Sequence, residues 1–474
     1  MAAVRARSSP CESRAFVGAR AWANDLMQNA RFPDKRLAER ARQIAAAFAA
    51  KPCDSIPQSC STWGPTKAAY RFFANPRVTC EDIKAPIAQA AGRACAGHSL
   101  VLAIQDTTAL TFPKTRTMEE LGALNCFTKG MLLHSTLALS AEGVPLGLLD
   151  LQWWTRDPGA KARHRRSRRV EDKESCKWLH GMKAAREAFW SQRCCIEGGR
   201  LIHVFDREGD IHEVFENVRP EEGAVIRCAQ DRRVRDSEGR LGLAKQMIRS
   251  APLLGTVRVD VPRSAGRPAR FDVAVQLRSC FLRLDPDKNK HSRRRPLDLT
   301  LIELRESDPP AGVEPLHWLL WSTEPAQTLE EALGVVAIYR LRWRIEDYHV
   351  VFKGGCRVEQ LQFESAERAA KALYLYAAVA VRILALREFS RREPEAPCTR
   401  VLHEHEWRAL WTYIHQEPPS AQTPPPNMRQ AVLWIGRLGG HLGRKGDGMP
   451  GVTTLWRGWR DLENLVVMYC ATTA

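Results

Sequence analysis

The segment LIHVFDREGD, residues 201–210, decides the fold. Its first five residues are apolar, β-branched or aromatic and read as a strand, which stops at Asp206. Aspartate is disfavoured in strands and costly to bury unpaired. A hundred residues earlier, SLVLAIQDTT (99–108) repeats the arrangement, an apolar run ending on Asp106. An Asp at a strand end often does no more than open a turn. Two of them at the ends of core strands can hold a divalent cation, because hard Mg²⁺ prefers a few carboxylates plus phosphate oxygens.

Outward from these strands the pattern alternates. MLLHSTLALSAEGVPLGLLDLQWW (131–154) predicts two strands around a Glu142-Gly143 turn, and a helix is expected over about 173–192. Strands alternating with helices predict an α/β core. From about 222 to 324 the chain reads as largely β, through AVIRCA, GTVRVDVP, RFDVAVQLRS, LDLTLIELR and HWLLWSTEP. The first hundred residues read as helix. They include an Ala/Arg-rich stretch over 35–50 with Leu37, Ala41, Ile44 and Phe48 at helical spacing, and KAAYRFFANPRV, which stops at Asn75-Pro76. Their basic faces suit a grip on DNA or the solvated side of a bundle. Helices resume near Thr328, run past Lys353, and continue through Tyr374 and Leu386. A Pro-rich linker at 417–427 precedes a last helical module. The runs KARHRRSRR (161–169) and 288–295 are expected to be basic loops.

The 474 residues carry 71 Lys and Arg against 54 Asp and Glu, a formal charge of +17. Such an excess favours an anionic polymer as partner, through counterion release, although it also serves solubility. The predominance of Arg over Lys suits bidentate phosphate contacts. No apolar run reaches the roughly 20 residues of a membrane span, and the N-terminus lacks a secretory pattern, so a cytoplasmic protein with no membrane partner is expected. The 14 cysteines contain no C-x-x-C pair, which supports neither a zinc site nor a disulfide framework.

A third feature is sharper. In AIYRLRWRIEDYHVVFKGG (337–355), Tyr339, Arg342, Glu346 and Lys353 follow at steps of three, four and seven. At about 100° per residue these fall within an arc of about 60° on one helix. Leu341, Ile345, Tyr348 and Phe352 form a separate stripe for the core. A surface ion pair of Arg342 with Glu346 explains two of the four residues but not Tyr339 or Lys353.

The spacing Y339-x-x-R342-x-x-x-E346-x-x-x-x-x-x-K353 resembles the signature of the insertion-sequence-four family of DDE transposases. AIQDTTAL (103–110) and FDREGDIH (205–212) resemble that family's two aspartate motifs, in the same order. AYRFFANP (69–76), DKESCKWL (172–179), LHWLLWSTEP (316–325), His349, Gly355 and RLGG (437–440) are also similar. The resemblance implies an α/β fold: a ribonuclease-H-like core (86–221 and 325–392) interrupted by a β-rich insertion (222–324). It places a helical DNA-binding domain at 1–85 and a helical dimerisation domain at 393–474.

It further implies a catalytic, metal-binding triad of Asp106, Asp206 and Glu346. Two Mg²⁺ ions, with Mn²⁺ able to substitute, would stabilise the attacking and leaving oxygens of an in-line displacement. Tyr339, Arg342, Lys353, Arg227 and Trp343 would contact DNA, and Trp318 would stack on a base turned out at a hairpin. In VIRCAQDRR (225–233) Ala229 stands where a basic residue is expected, leaving Arg232 or Arg233 as substitutes. The implied partners are double-stranded DNA, at transposon ends and target, and a second copy of the chain in a homodimer, with a bacterial, nucleoid-associated setting. Competing readings are a catalytically silent DNA-binding protein and a nuclease that cuts without joining.

Overall fold

Two strands run parallel at the centre of the fold, β1 (Leu100–Thr111) and β5 (Arg200–Phe205), with Leu100 opposite Arg200 and Ile104 opposite Val204. They lie in a twelve-stranded mixed sheet in a computed structural model that describes residues 19–112, 118–125, 127–156, 173–191, 199–261, 269–285, 295–444 and 447–473. The basic run 161–169 lies outside the described residues, as does the loop expected at 288–295 apart from Arg295.

On one side of β1 lies β3 (Lys129–Ser140), antiparallel, which pairs in turn with β2 (Gly122–Ala123) and β4 (Pro145–Trp154). The β3–β4 hairpin turns where the sequence predicts, with Gly143 at φ 85°, a conformation that favours glycine. On the other side, β5 pairs parallel with β6 (Glu222–Arg227). The sheet then continues through β12 (His317–Ser322), β11 (Leu297–Glu306) and β10 (Arg270–Leu284) to β7 (Arg233–Arg235) and β8 (Leu241–Leu243), while β9 (Leu253–Val261) pairs with β10. The β-rich stretch after 222 therefore extends the sheet that carries β1 and β5.

Side chains on these strands alternate between two faces. Val101 and Ala103 pack with α5 (Cys80–Cys95) and α6 (Cys176–Ser191). Leu102 and Ile104 join the opposite cluster, with Ile345, Tyr348 and Phe352. Close approach on the first face depends on Gly181 of α6, where an added Cβ would lie 2.4 Å from Gln105 Oε1. The second face is covered by α9 (Leu329–Arg340), α10 (Trp343–Val350) and α11 (Ala366–Arg392).

Helices α1 (Ala19–Leu26), α2 (Lys35–Ala50), α3 (Ile56–Cys60) and α4 (Trp63–Ala74) precede α5. Asp34 caps α2 by accepting from Arg36 N, and Ala41, Ile44 and Phe48 are buried as their spacing predicts. Helix α7 (His212–Glu216) follows β5, and α8 (Ala244–Ser250) packs on β10 and β11. The chain ends with α12 (Glu404–His415), α13 (Met428–Leu438) and α14 (Val452–Thr473), which share a cluster with the end of α11.

Helix α11 is the one described helix that approaches a membrane span, although Lys371 and Arg382 interrupt its apolar residues. Its 27 residues are long and apolar enough to cross a membrane by composition, yet 89% of its most apolar window is buried inside the protein. It is a core helix, and its hydrophobicity comes from being surrounded by other elements.

Candidate active site

The last pair of the β1–β5 register is Ile104–Val204; Asp106 lies two residues further along β1, and Asp206 two residues further along the chain, just past the end of β5. Both have the parity of Leu102, Ile104, Ile202 and Val204, so both project to the face covered by α9–α11. Asp206 ends its strand and accepts a hydrogen bond from Glu208 N at 2.9 Å. Asp106 does not end its strand. β1 runs on to Thr111 because β3 continues to pair with it after β5 has left, with Asp106 opposite Ser135. Burial raises both carboxyls above their usual range. Asp106 is pushed up to about 7 by burial first and by the charge of Glu346 second.

Glu346 arrives from α10. The helix expected to run unbroken past Lys353 is in three pieces. Around 341–345 the bonds tighten to i→i−3: Leu341 N to Ile338 O, Arg342 N to Tyr339 O, Arg344 N to Leu341 O and Ile345 N to Arg342 O. After Val350 the chain widens into a π-turn over Val351–Gly355, with Cys356 N bonded to Val351 O at 2.8 Å. Tight and wide turns advance by more and less than 100° per residue, so the single arc of four side chains is not maintained. Ile345, Tyr348 and Phe352 still face the core as predicted, each fully buried.

The site's cations separate accordingly. Arg342, 8% exposed, reaches both carboxylates with Nη1, 3.5 Å from Asp106 Oδ2 and 3.5 Å from Glu346 Oε1. Its guanidinium also lies 5.0 Å from the ring of Trp343, which is 53% exposed. Lys353 turns to β1 instead, donating to Ala109 O at 2.9 Å and facing Glu359 Oε1 at 3.4 Å. Tyr339 is buried, edge-on to Trp318 with centroids 5.2 Å apart, and the Arg227 guanidinium lies 5.6 Å from the Trp318 ring. Arg227 and Trp318 share the parity of Val225 and Leu320 on the same sheet face as the aspartates. Burial pulls the Arg227 guanidinium down to about 10.

Of the two arginines expected to replace a contact at Ala229, Arg232 is otherwise engaged. It is 9% exposed and holds Asp210, Nε to Oδ1 at 3.0 Å and Nη2 to Oδ1 at 2.8 Å. Asp210 also accepts from Ala229 N at 2.7 Å and Gln230 N at 3.0 Å, fixing the loop after β6. Arg233 is exposed on β7.

Sequence reasoning assigned no role to His349. Asp106, Glu346 and His349 each offer a ligand atom within 4.8 Å of the others. Burial is the main force pushing the imidazole down to about 3, with Lys353 and Arg342 adding to it. The available signal was its position three residues after Glu346. Lys177 was missed too: it is 9% exposed, lies 5.0 Å from the Trp178 ring centroid and donates to Glu208 at 3.1 Å.

Three family models match the chain in sequence order. Transposase DNA-binding covers residues 19–78, the span of α1–α4. Transposase DDE domain covers 245–382, and Transposase Tn5 dimerisation domain covers 378–472. A DNA-binding module, a DDE domain that includes Glu346 and a dimerisation module define the class: the chain is a DDE transposase, a metal-dependent DNA endonuclease and strand transferase. The dimerisation match narrows this to a Tn5-like transposase, which binds DNA and forms dimers. Asp106 and Asp206 precede the matched DDE segment; Asp106 is linked to Glu346 through Arg342, whereas Asp206 is linked to the pair through its effect on the Asp106 carboxyl.

Proposed function

We propose that the protein is a cut-and-paste transposase of the insertion-sequence-four family, with Asp106, Asp206 and Glu346 as its catalytic triad. The observation that carries this reading is the approach of Asp106 to Glu346, which share Arg342, with Asp206 near enough for its charge to add to the raising of the Asp106 carboxyl, although it stands outside the cluster of Asp106, Glu346 and His349. Asp106 lies on β1, Asp206 directly follows the parallel β5, and Glu346, on the helix above, shares an arginine with Asp106. A ribonuclease-H-like core is supported by the strand order β4-β3-β1-β5-β6, three antiparallel strands followed by two parallel ones. On this division residues 1–85 bind DNA, 86–221 with 325–392 form the core, to which the start of the 222–324 stretch lends β6 while the rest is an insertion, and 393–474 mediate dimerisation.

The donor set suits divalent cations, Mg²⁺ with Mn²⁺ as substitute: two carboxylates, Asp106 and Glu346, come within reach of one ion, and Arg342 does not offset the burial of Asp106. Such ions would be held by Asp106, Asp206 and Glu346 and would supply charge stabilisation for the attacking and leaving oxygens. Arg342, no longer needed between the carboxylates, is then free to hold a DNA phosphate. Water attacks the phosphodiester at the element end and the P–O3′ bond breaks, releasing a 3′-hydroxyl. That hydroxyl attacks the opposite strand to give a hairpin, which water reopens, and the freed 3′ end joins target DNA in the same way. Trp318, backed by Tyr339 and Arg227, offers the stacking surface for a base displaced at the hairpin. Arg342 and the exposed Trp343 beside it are the DNA contacts next to the carboxylates, Tyr339 backs Trp318, and Lys353 reaches DNA only by leaving Ala109 and Glu359. A homodimer would hold two transposon ends together.

The test is incubation of the transposon's own end DNA with wild type and Glu346→Ala in Mg²⁺ or Mn²⁺. Nicked, hairpin and joined products from wild type alone, with end binding kept by the variant, are expected. End binding without cleavage by wild type in either metal would overturn the reading in favour of a silent DNA-binding protein.

A further inference from the structure

We propose that His349 is a protein ligand of the metal held by Asp106 and Glu346, adding a nitrogen donor to a centre otherwise built from carboxylates. The proposal rests on the reading of those carboxylates as a metal site. Glu346 and His349 are three residues apart on α10, a spacing that puts both side chains on one helical face. Glu-x-x-His on a helix is also the ligand pair that carboxylate-bridged di-iron and di-manganese bundles project inward. Here a ring nitrogen of His349 lies within 4.8 Å of carboxylate oxygens of both Glu346 and Asp106.

A second, independent observation concerns hydrogen bonding. His349 is 7% exposed, and its Nε2 is buried with no hydrogen-bond partner among the described residues. An orphaned buried nitrogen forgoes the hydrogen bond that water gives it in the unfolded chain. A phenylalanine would fill this space without that cost, so packing does not account for an imidazole here. A cation bound between the two carboxylates would lie beside a nitrogen of this under-partnered ring.

The consequence is a change of metal preference. Mg²⁺ takes oxygen ligands almost exclusively, whereas an imidazole shifts a mixed site toward first-row transition ions. The site should therefore favour Mn²⁺ over Mg²⁺ more than three carboxylates alone would.

The experiment is pulsed electron paramagnetic resonance of Mn²⁺ added to the full-length protein, with wild type, His349→Phe and Asp106→Asn compared. The expected result is ¹⁴N modulation from a directly bound imidazole in wild type and its loss in His349→Phe. Mn²⁺ affinity should fall about tenfold in that variant while Mg²⁺ affinity changes much less. Bound Mn²⁺ without nitrogen modulation in wild type, which needs no variant to fold, overturns the inference and leaves the carboxylate site standing. Modulation that survives His349→Phe overturns it equally. Mn²⁺ binding indifferent to Asp106→Asn overturns both the inference and the metal site on which it rests.

Discussion

Arg342 Nη1 stands 3.5 Å from Asp106 Oδ2 and occupies, between Asp106 and Glu346, the position of a counter-ion. One guanidinium shared between two carboxylates does not offset the cost of burying Asp106, whose carboxyl remains at about 7. This imbalance gives the metal-free protein its first measurable property.

Because the folded value of Asp106 lies above its unfolded value of 3.8, the proton is held more tightly by the folded state. The resulting stabilisation is complete below about pH 4 and is lost as pH rises through about 7. An asparagine cannot titrate. In chelator, the stability of wild type relative to Asp106→Asn should therefore fall across that window, as read by thermal unfolding of both proteins. Metal affinity should conversely rise up to about tenfold per pH unit toward pH 7, as the competing proton is released. Parallel unfolding curves for the two proteins would mean that Asp106 is not strained in this way.

Trp318 carries Arg227 on its face and Tyr339 at its edge. Loss of a base-stacking surface is worth about 1–3 kcal/mol, or roughly 5- to 150-fold. Trp318→Ala should leave first-strand nicking near the wild-type rate and slow hairpin formation by a factor in that range. Nicked intermediate would then accumulate on denaturing gels. Equal slowing of both steps would assign Trp318 to general packing instead.

The Asp210–Arg232 pair is buried and richly hydrogen-bonded. Breaking such a pair by removing one partner costs about 3–5 kcal/mol. Arg232→Ala should lower the unfolding midpoint in denaturant markedly, whereas Arg233→Ala should leave it unchanged and act, if anywhere, on DNA affinity. A folded, fully stable Arg232→Ala would contradict the assignment.

The sequence made local features legible and long-range ones much less so. Apolar runs closed by Asp106 and Asp206 announce core strands, although β1 runs on past Asp106, and the stripe of Leu341, Ile345, Tyr348 and Phe352 announces a helix face of which all but the half-buried Leu341 is fully buried. Period-two alternation identifies a strand without naming its neighbour, so the pairing of β6 with β5 and the single sheet uniting β1 with β10 were not readable. The breaks on either side of α10 were hidden because i→i−3 and π hydrogen bonding leave no periodic mark over so few residues. Lys353 was misplaced on its arc for that reason. Arg232 looked like a free cation because its partner Asp210 is 22 residues away in sequence.

The central claim is that Asp106, Asp206 and Glu346 act as one metal-dependent centre. Its most direct test is cleavage of end DNA by Asp106→Asn, Asp206→Asn and Glu346→Gln, each checked for folding and for end binding. The account predicts that all three bind the ends as wild type does and that each loses cleavage in both Mg²⁺ and Mn²⁺. Near-wild-type cleavage by any one of them would remove that residue from the centre and contradict the account.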